Sequence, residues 1–264
     1  MLFSGTKTLR QIAAVLETGN LLFLRLLLTN PSAARVFPGE MYRSYLGLSG
    51  GDAWPCRPIF ELLPNAGRVR ATIEHIPSNV IGTPLEQLSA LALFARATNA
   101  TRIFEIGTFR GRTALNFALN LPEGGRVFTM DLPPSEDARG DASDRTNSSD
   151  ATIISESTTG SDYRGSDVES KIEQVYGDSS VFDFSPYYGS MDLVYVDGAH
   201  HYDAVVRDSE QAIKMVRPGG YVLWDEFCNF GDYADVTRAV LDVVPRGQVS
   251  HVEKTQLGVY RKPL

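Results

Sequence analysis

Met191-Asp192-Leu193-Val194-Tyr195-Val196-Asp197-Gly198-Ala199-His200-His201-Tyr202 is followed, after a helical stretch, by Val216-Arg217-Pro218-Gly219-Gly220-Tyr221-Val222-Leu223-Trp224-Asp225-Glu226. Each half holds a short, nearly continuous apolar run, Leu193–Val196 and Tyr221–Trp224, and each run stops at a carboxylate. A strand apolar on both faces is covered on both faces, which is the habit of parallel sheets. The connection from Tyr202 to Val216 has helical periodicity, so the stretch reads as strand, crossover helix, parallel strand.

The same rhythm extends outward. Upstream, Arg102–Ile106 reads as a strand, followed by a glycine-containing turn and a helix from about Arg112 to Asn120. Gly124-Gly125 then turns the chain into a strand, Val127–Met130, ending at Asp131. Before these, Thr83 is a candidate N-cap, Pro84 the first helical residue and Glu86 the partner in a capping box. Leu85, Leu88, Leu91, Ala92 and Ala95 form that helix's apolar face. Ile172–Tyr176 is a further strand. Downstream come a helix, Ala234–Val244, and a final strand pair, Val249–Val252 and Leu257–Tyr260. The expectation is an α/β, Rossmann-like, doubly wound and mostly parallel seven-stranded sheet with a helical N-terminal extension.

Two zones stand outside the alternation. Residues 1–82 are helical-looking and slightly basic, and are expected to form an extension for substrate or oligomer contacts, with a homo-oligomer through these helices one outcome. Leu21–Leu28 is apolar nearly all round but contains Arg25 and is too short to span a bilayer, so burial is expected. Residues 133–170 are rich in Ser, Thr, Asp and Gly with few large apolar groups, and are expected to be a flexible insertion or lid within the domain 83–264.

In open α/β sheets, ligands bind beyond the carboxyl ends of the strands. Those ends are Gly107, Asp131, Gly177-Asp178, Asp197 and Asp225-Glu226, and four of the five carry a carboxylate. At the first, Phe104-Glu105-Ile106-Gly107-Thr108-Phe109-Arg110-Gly111-Arg112-Thr113 places glycines where a backbone must turn tightly and approach a ligand. It is not the GxGxxG dinucleotide fingerprint. Asp131, 24 residues after Gly107 and next to Leu132, can accept hydrogen bonds from ribose hydroxyls, a device that nicotinamide enzymes share.

Glu105-x-Gly107-x-x-x-Gly111-x-Thr113 resembles motif I of class I S-adenosylmethionine-dependent methyltransferases. Gly177-Asp178-Ser179 resembles that family's segment near the adenine ring. The Asp-Leu-Val-x-Val-Asp-Gly-x-His element and the Arg-Pro-Gly-Gly-Tyr element after it are similar to the small-molecule O-methyltransferase branch, of catechol, macrocin and novobiocin types. The likeness runs over about residues 83–262, apart from the insertion; residues 1–80 match no family.

The resemblance implies a cofactor, S-adenosyl-L-methionine, held by Glu105, Gly107, Thr108, Gly111, Thr113, Asp131, Leu132, Gly177, Asp178, Ser179 and Asp197. It implies O-methylation of a small molecule such as a natural product or sugar. In metal-using members, Mg²⁺ is held at positions matching Asp197, Asp225 and Glu226, and chelation then abolishes turnover; the family usually has Asp or Asn where Glu226 stands. Ala199 replaces an Asp found in sugar-type relatives. His200 and His201 are candidates for taking the acceptor's proton, because imidazole titrates near neutrality. The other readings are a peptide or carboxylate acceptor, a catalytically weak cofactor-binding protein, and a nicotinamide-dependent oxidoreductase; the missing GxGxxG speaks against the last.

Composition narrows the field. The 264 residues carry a net charge of −7, a poor match to nucleic-acid phosphates. The two cysteines, Cys56 and Cys228, form no CxxC and no zinc spacing, which fits a reduced, cytoplasmic protein. Met1–Gly19 lacks an uninterrupted apolar core before a small-residue cleavage site, so no secretory signal is expected.

Overall fold

A computed structural model describes residues 54–76, 83–133, 158–227, 234–245 and 247–264. The elements below are counted among these. The apolar stretch Leu21–Leu28 and the bulk of the expected N-terminal extension, including its helices and any oligomer contact, lie outside the described residues, as does Cys228.

The chain runs β1 (Cys56–Arg57), α1 (Ile59–Leu62), α2 (Leu85–Ala97), β2 (Arg102–Ile106), α3 (Arg112–Asn120) and β3 (Arg126–Asp131). It continues β4 (Ile172–Tyr176), β5 (Met191–Val196), α4 (Tyr202–Met215), β6 (Val216–Trp224), α5 (Ala234–Val243), β7 (Val249–Val252) and β8 (Gly258–Arg261). The strands form one eight-stranded sheet in the order β1-β7-β8-β6-β5-β2-β3-β4. Every pairing is parallel except those of β8, which runs antiparallel to both β6 and β7. The fold is thus the expected Rossmann-like α/β architecture with one strand more. That strand, β1, comes from the segment read as an N-terminal extension: Cys56 and Arg57 pair with His251 and Val252, and nearby Leu63 and Ala66 are buried in the core. The sheet therefore begins before residue 83.

Strand order reverses between β2 and β5, each of which is centrally hydrogen-bonded and fully buried along most of its length. One apolar layer, with Leu91, Phe94, Leu115, Phe117 and Tyr195, packs α2 and α3 on one face. The other, with Phe104, Val194, Trp224, Val205 and Val240, packs α4 and α5 on the opposite face. Alternate residues of each strand feed the two layers, as the period of two demands.

Two local expectations are corrected. Helix α2 starts without the capping box: its cap residue is Pro84, no side chain caps it, and the Thr83 hydroxyl stands 3.5 Å from that of Thr113 instead. Residues 158–170, read as part of a flexible insertion, are an ordered turn ending in a short 3-10 segment, with Thr159, Asp162 and Tyr163 buried. A polar composition hid the packing because two residues, Asp162 and Tyr163, carry most of it. The remainder of that insertion, 134–157, lies outside the described residues.

A segment without regular secondary structure, 71–76, runs along α3. Asn120 bonds both the N–H and the C=O of Thr72 at 2.9 and 2.8 Å, and Asn116 does the same for Glu74 at 2.9 and 3.0 Å. Residues four apart on a helix rise about 6 Å and residues two apart on a strand about 6.8 Å, so two amides can imitate a sheet edge.

Candidate active site

The carboxyl ends of five strands lie level. The ladder continues one residue past them: Gly177 N donates to Asp131 O, Gly107 N to Met130 O, Asp197 N to Ile106 O and Asp225 N to Val196 O, at 2.8–3.0 Å. This sets Gly177, Asp131, Gly107, Asp197 and Asp225 in one row across the point where strand order reverses, where this architecture opens its ligand crevice.

At the centre of the row the backbone passes close to its neighbour. Gly107 has φ +99°, and a Cβ there would collide with the carbonyl of Asp197. Gly111, at φ +82°, caps α3 in the left-handed region, and a side chain there would meet the Tyr163 ring. Only glycine satisfies both the angle and the space at these two positions. The loop between them is tied to β3: Asp131 Oδ2 accepts from Phe109 N and Oδ1 from Leu132 N, both at 2.8 Å. A carboxylate oxygen can accept more than one hydrogen bond, so these contacts are compatible with a ligand donor.

Beneath the loop lies a one-way chain of hydrogen bonds. The Thr129 hydroxyl donates to Glu105 Oε2 at 2.5 Å, so Thr108, 2.8 Å away, must donate to Thr129. Gln174 Nε2 donates to Thr108 at 3.0 Å, and the Tyr163 hydroxyl donates to Gln174 Oε1 at 2.7 Å. Burial pushes the Glu105 carboxyl up to about 8; the Thr129 bond opposes this and Asp131 adds to it. Thr108 and Thr113 are both buried and so support the loop from below.

On the β4 side, Asp178 Oδ1 accepts from Ser180 N at 2.8 Å, shaping its own turn, and Ser179 bonds the buried Asp208 of α4. Burial raises that Asp208 to about 6 despite the Ser179 bond and Arg207. Gly177 is backed by Phe182, part of an aromatic group with Phe104, Phe184 and Tyr187.

On the other side, the carboxylates of β5 and β6 converge. Asp197 is raised well above the carboxylate range by burial and by the charges of Asp225, Glu226 and Glu105. Gln87, 1% exposed in α2, donates to Asp225 Oδ1 at 2.5 Å while its Oε1 accepts from Gln256 N at 2.9 Å. Because the backbone N–H can only donate, the orientation of this amide is fixed and its NH₂ must face Asp225. Glu226, at φ +52°, brings Oε2 to 3.1 Å from His200 Nε2. His201 caps α4, with Nδ1 accepting from Ala204 N at 3.3 Å.

The expected Mg²⁺ site is tested by the same contacts. The three carboxylates are neighbours, but Asp225 is oriented by Gln87 and Glu226 faces His200. Among the described residues no group of three or more His, Cys, Asp or Glu side chains is placed to hold a metal ion. The donor set in this arrangement does not fit a three-ligand ion.

Gln87, Gln174, Asp162, Tyr163 and Asp208 escaped sequence reasoning. The available signal was a polar residue on an apolar face, as with Gln87 beside Leu88 and Leu91.

The methyltransferase domain family matches residues 104–227. Caffeoyl-CoA O-methyltransferase 2 of Zea mays is 26% identical over 156 residues, covering 58% of this chain and 52% of that protein. Catechol O-methyltransferase domain-containing protein 1 of Mus musculus is 47% identical over 47 residues, 18% of each chain. The chain thus matches about half the length of the maize relative and less of the mouse one. The solved O-methyltransferase TomG of Streptomyces achromogenes, described as involved in tomaymycin synthesis and in complex with SAM, shows 21% identity and a TM-score of 0.45, covering 84% of this chain and 98% of that one.

Proposed function

We propose that this chain, whose residues 104–227 match a methyltransferase domain family, is a class I S-adenosylmethionine-dependent methyltransferase that transfers a methyl group to a hydroxyl of a small molecule. The observation that carries the reading is the close pass of Gly107 over Asp197 in a level row of strand ends, with Asp131 one strand away. It favours a cradle for an elongated nucleoside ligand. S-adenosylmethionine supplies a methyl group on a sulfonium, ready for in-line displacement.

Loop 107–111 takes the methionine end of that ligand on its backbone, supported from below by Glu105, Thr108 and Thr113. Asp131, with Leu132, takes the ribose hydroxyls. Segment Gly177-Asp178-Ser179 borders the adenine, and Asp197 flanks the centre. His200 accepts the proton of the acceptor hydroxyl, and Glu226 beside it stabilises the imidazolium that forms. With the carboxylates so engaged, no step runs through a metal. The O-methyltransferase relatives support a small-molecule acceptor over a peptide, and two cysteines in no CxxC or zinc spacing support a cytoplasmic setting.

Calorimetric titration tests the cofactor. S-adenosylhomocysteine is expected to bind and NAD not to; the reverse would make the protein a nicotinamide enzyme. Asp131→Ala is expected to weaken S-adenosylhomocysteine about tenfold or more, the effect of losing bonds to a charged acceptor. Unchanged affinity in a folded variant would reduce Asp131 to a loop anchor. For the proton, His200→Ala is expected to abolish turnover while excess EDTA leaves it intact. Loss in EDTA with recovery in Mg²⁺ would return Asp197, Asp225 and Glu226 to a ligand role.

A further inference from the structure

The turn at 158–166 touches the glycine loop along its whole length. Gly160 N donates to Phe109 O at 3.0 Å and Asp162 N donates to Arg110 O at 2.7 Å, so the two segments are stitched backbone to backbone. The Asp162 side chain, 6% exposed, then receives charge from the loop itself. Arg110 Nε and its terminal nitrogen lie 3.1 and 3.0 Å from Oδ1, and Arg112 Nε lies 3.7 Å from Oδ2. A buried carboxylate between two guanidiniums is a strong tie, because removing either sign leaves an uncompensated charge.

Tyr163 supplies the second tie. Its ring occupies the space that a side chain on Gly111 or Gly160 would need. Its hydroxyl bonds Gln174, whose amide bonds Thr108, the residue after Gly107. The loop is therefore gripped at Thr108 from below, at Phe109 and Arg110 along its backbone, and at Gly111 from the side. Within Glu105–Thr113 one turn bond, Gly111 N to Thr108 O at 2.7 Å, shapes the loop, yet two of its residues are glycines and Phe109 also has a positive φ of 48°.

We propose that Asp162 and Tyr163 are positioning residues for the cofactor: they hold loop 107–111 in its binding conformation before ligand arrives. The proposal rests on the reading of this loop as the cofactor cradle. A loop ordered in advance loses less conformational freedom on binding, so its ties appear as affinity for the cofactor and not as chemistry. The Arg110–Asp162 tie joins residues 52 apart in sequence.

The test uses the full chain and three variants: Asp162→Ala, Asp162→Asn, which keeps shape and loses charge, and Tyr163→Phe, which keeps the ring and loses the bond to Gln174. Hydrogen exchange is followed in peptides covering 105–114 and, as an internal control, in α4. Affinity is measured with S-adenosylhomocysteine by calorimetry. Asp162→Ala is expected to speed exchange in 105–114 about tenfold without change in α4, and to weaken S-adenosylhomocysteine by a similar factor. Asp162→Asn and Tyr163→Phe are expected to give smaller shifts of the same kind. In turnover, KM for S-adenosylmethionine rises while kcat at saturation stays within about twofold. A folded Asp162→Ala with unchanged exchange in 105–114 overturns the proposal. So does faster exchange everywhere with unchanged affinity, the mark of a merely stabilising turn. If Asp162→Ala does not fold, the other two variants decide by the same readouts. If the wild-type chain binds no S-adenosylhomocysteine, the cofactor reading and this proposal's functional half fail together, whereas exchange in 105–114 still reports whether the grip exists.

Discussion

Glu105 shows how one residue couples the loop to solution conditions. Its carboxyl is 1% exposed and raised from the usual value to about 8, first by burial and then by Asp131, against the opposing Thr129 bond. A raised carboxyl binds its proton more tightly in the folded state than in the unfolded one. Its contribution is therefore complete below the unfolded value of 4.5 and is lost as pH rises toward 8. Denaturation of the unliganded protein between pH 5 and 8 is expected to show stability falling by a few kcal/mol from this group, about 1.4 kcal/mol per pH unit at most. Glu105→Gln, which keeps the acceptor for Thr129, is expected to flatten that slope. An unchanged slope in Glu105→Gln would mean that Glu105 is already ionised in the fold.

At the scale of elements, α3 does two jobs. Its N-terminus follows the glycine loop, and its Asn116 and Asn120 side chains carry the segment 71–76 along its flank. Each amide also returns a bond to the helix, Asn116 to Arg112 O and Asn120 to Asn116 O. Asn120→Ala removes two bonds to Thr72 and leaves its backbone groups facing an apolar methyl. A loss of about 1–3 kcal/mol is expected, with Asn116→Ala similar. Because the two amides hold one segment, the double variant is expected to lose less than the sum. Limited proteolysis gives the local readout: cleavage within 69–76 rises in either variant while 112–120 stays protected. Additive losses with no new cleavage would show that the segment is held elsewhere.

For the whole molecule, ligand and fold are linked by mass action. S-adenosylhomocysteine at a hundredfold over its dissociation constant is expected to stabilise the protein by about 2.7 kcal/mol, visible as a raised Tm. NAD at the same concentration is expected to leave Tm unchanged. The architecture behind this was legible where its code is local. Arg102–Ile106 and Ile172–Tyr176 are short apolar or alternating runs closed by Gly, and they are strands where the sequence placed them, as is Val249–Val252. The row of strand-end carboxylates follows from those ends. What stayed hidden is long-range. Gln87 meets Asp225 across 138 residues and Gln256 across 169, and no window of sequence holds both partners. Strand β1 has two residues, too few to show a period, and its partner lies nearly two hundred residues on. The capping of α4 by His201 was equally hidden, since a histidine at a helix start carries no strong cap signal.

The one antiparallel strand has a consequence in time. β8 lies between β6 and β7, yet it follows both in the chain. While the polypeptide is being synthesised, β2 through β6 can assemble as soon as they emerge, but β7 and β1 have nothing to join until Gly258–Arg261 arrives. The nascent sheet waits in two pieces with the open edge of β6 exposed, and the strand that closes it is made after the other seven described strands.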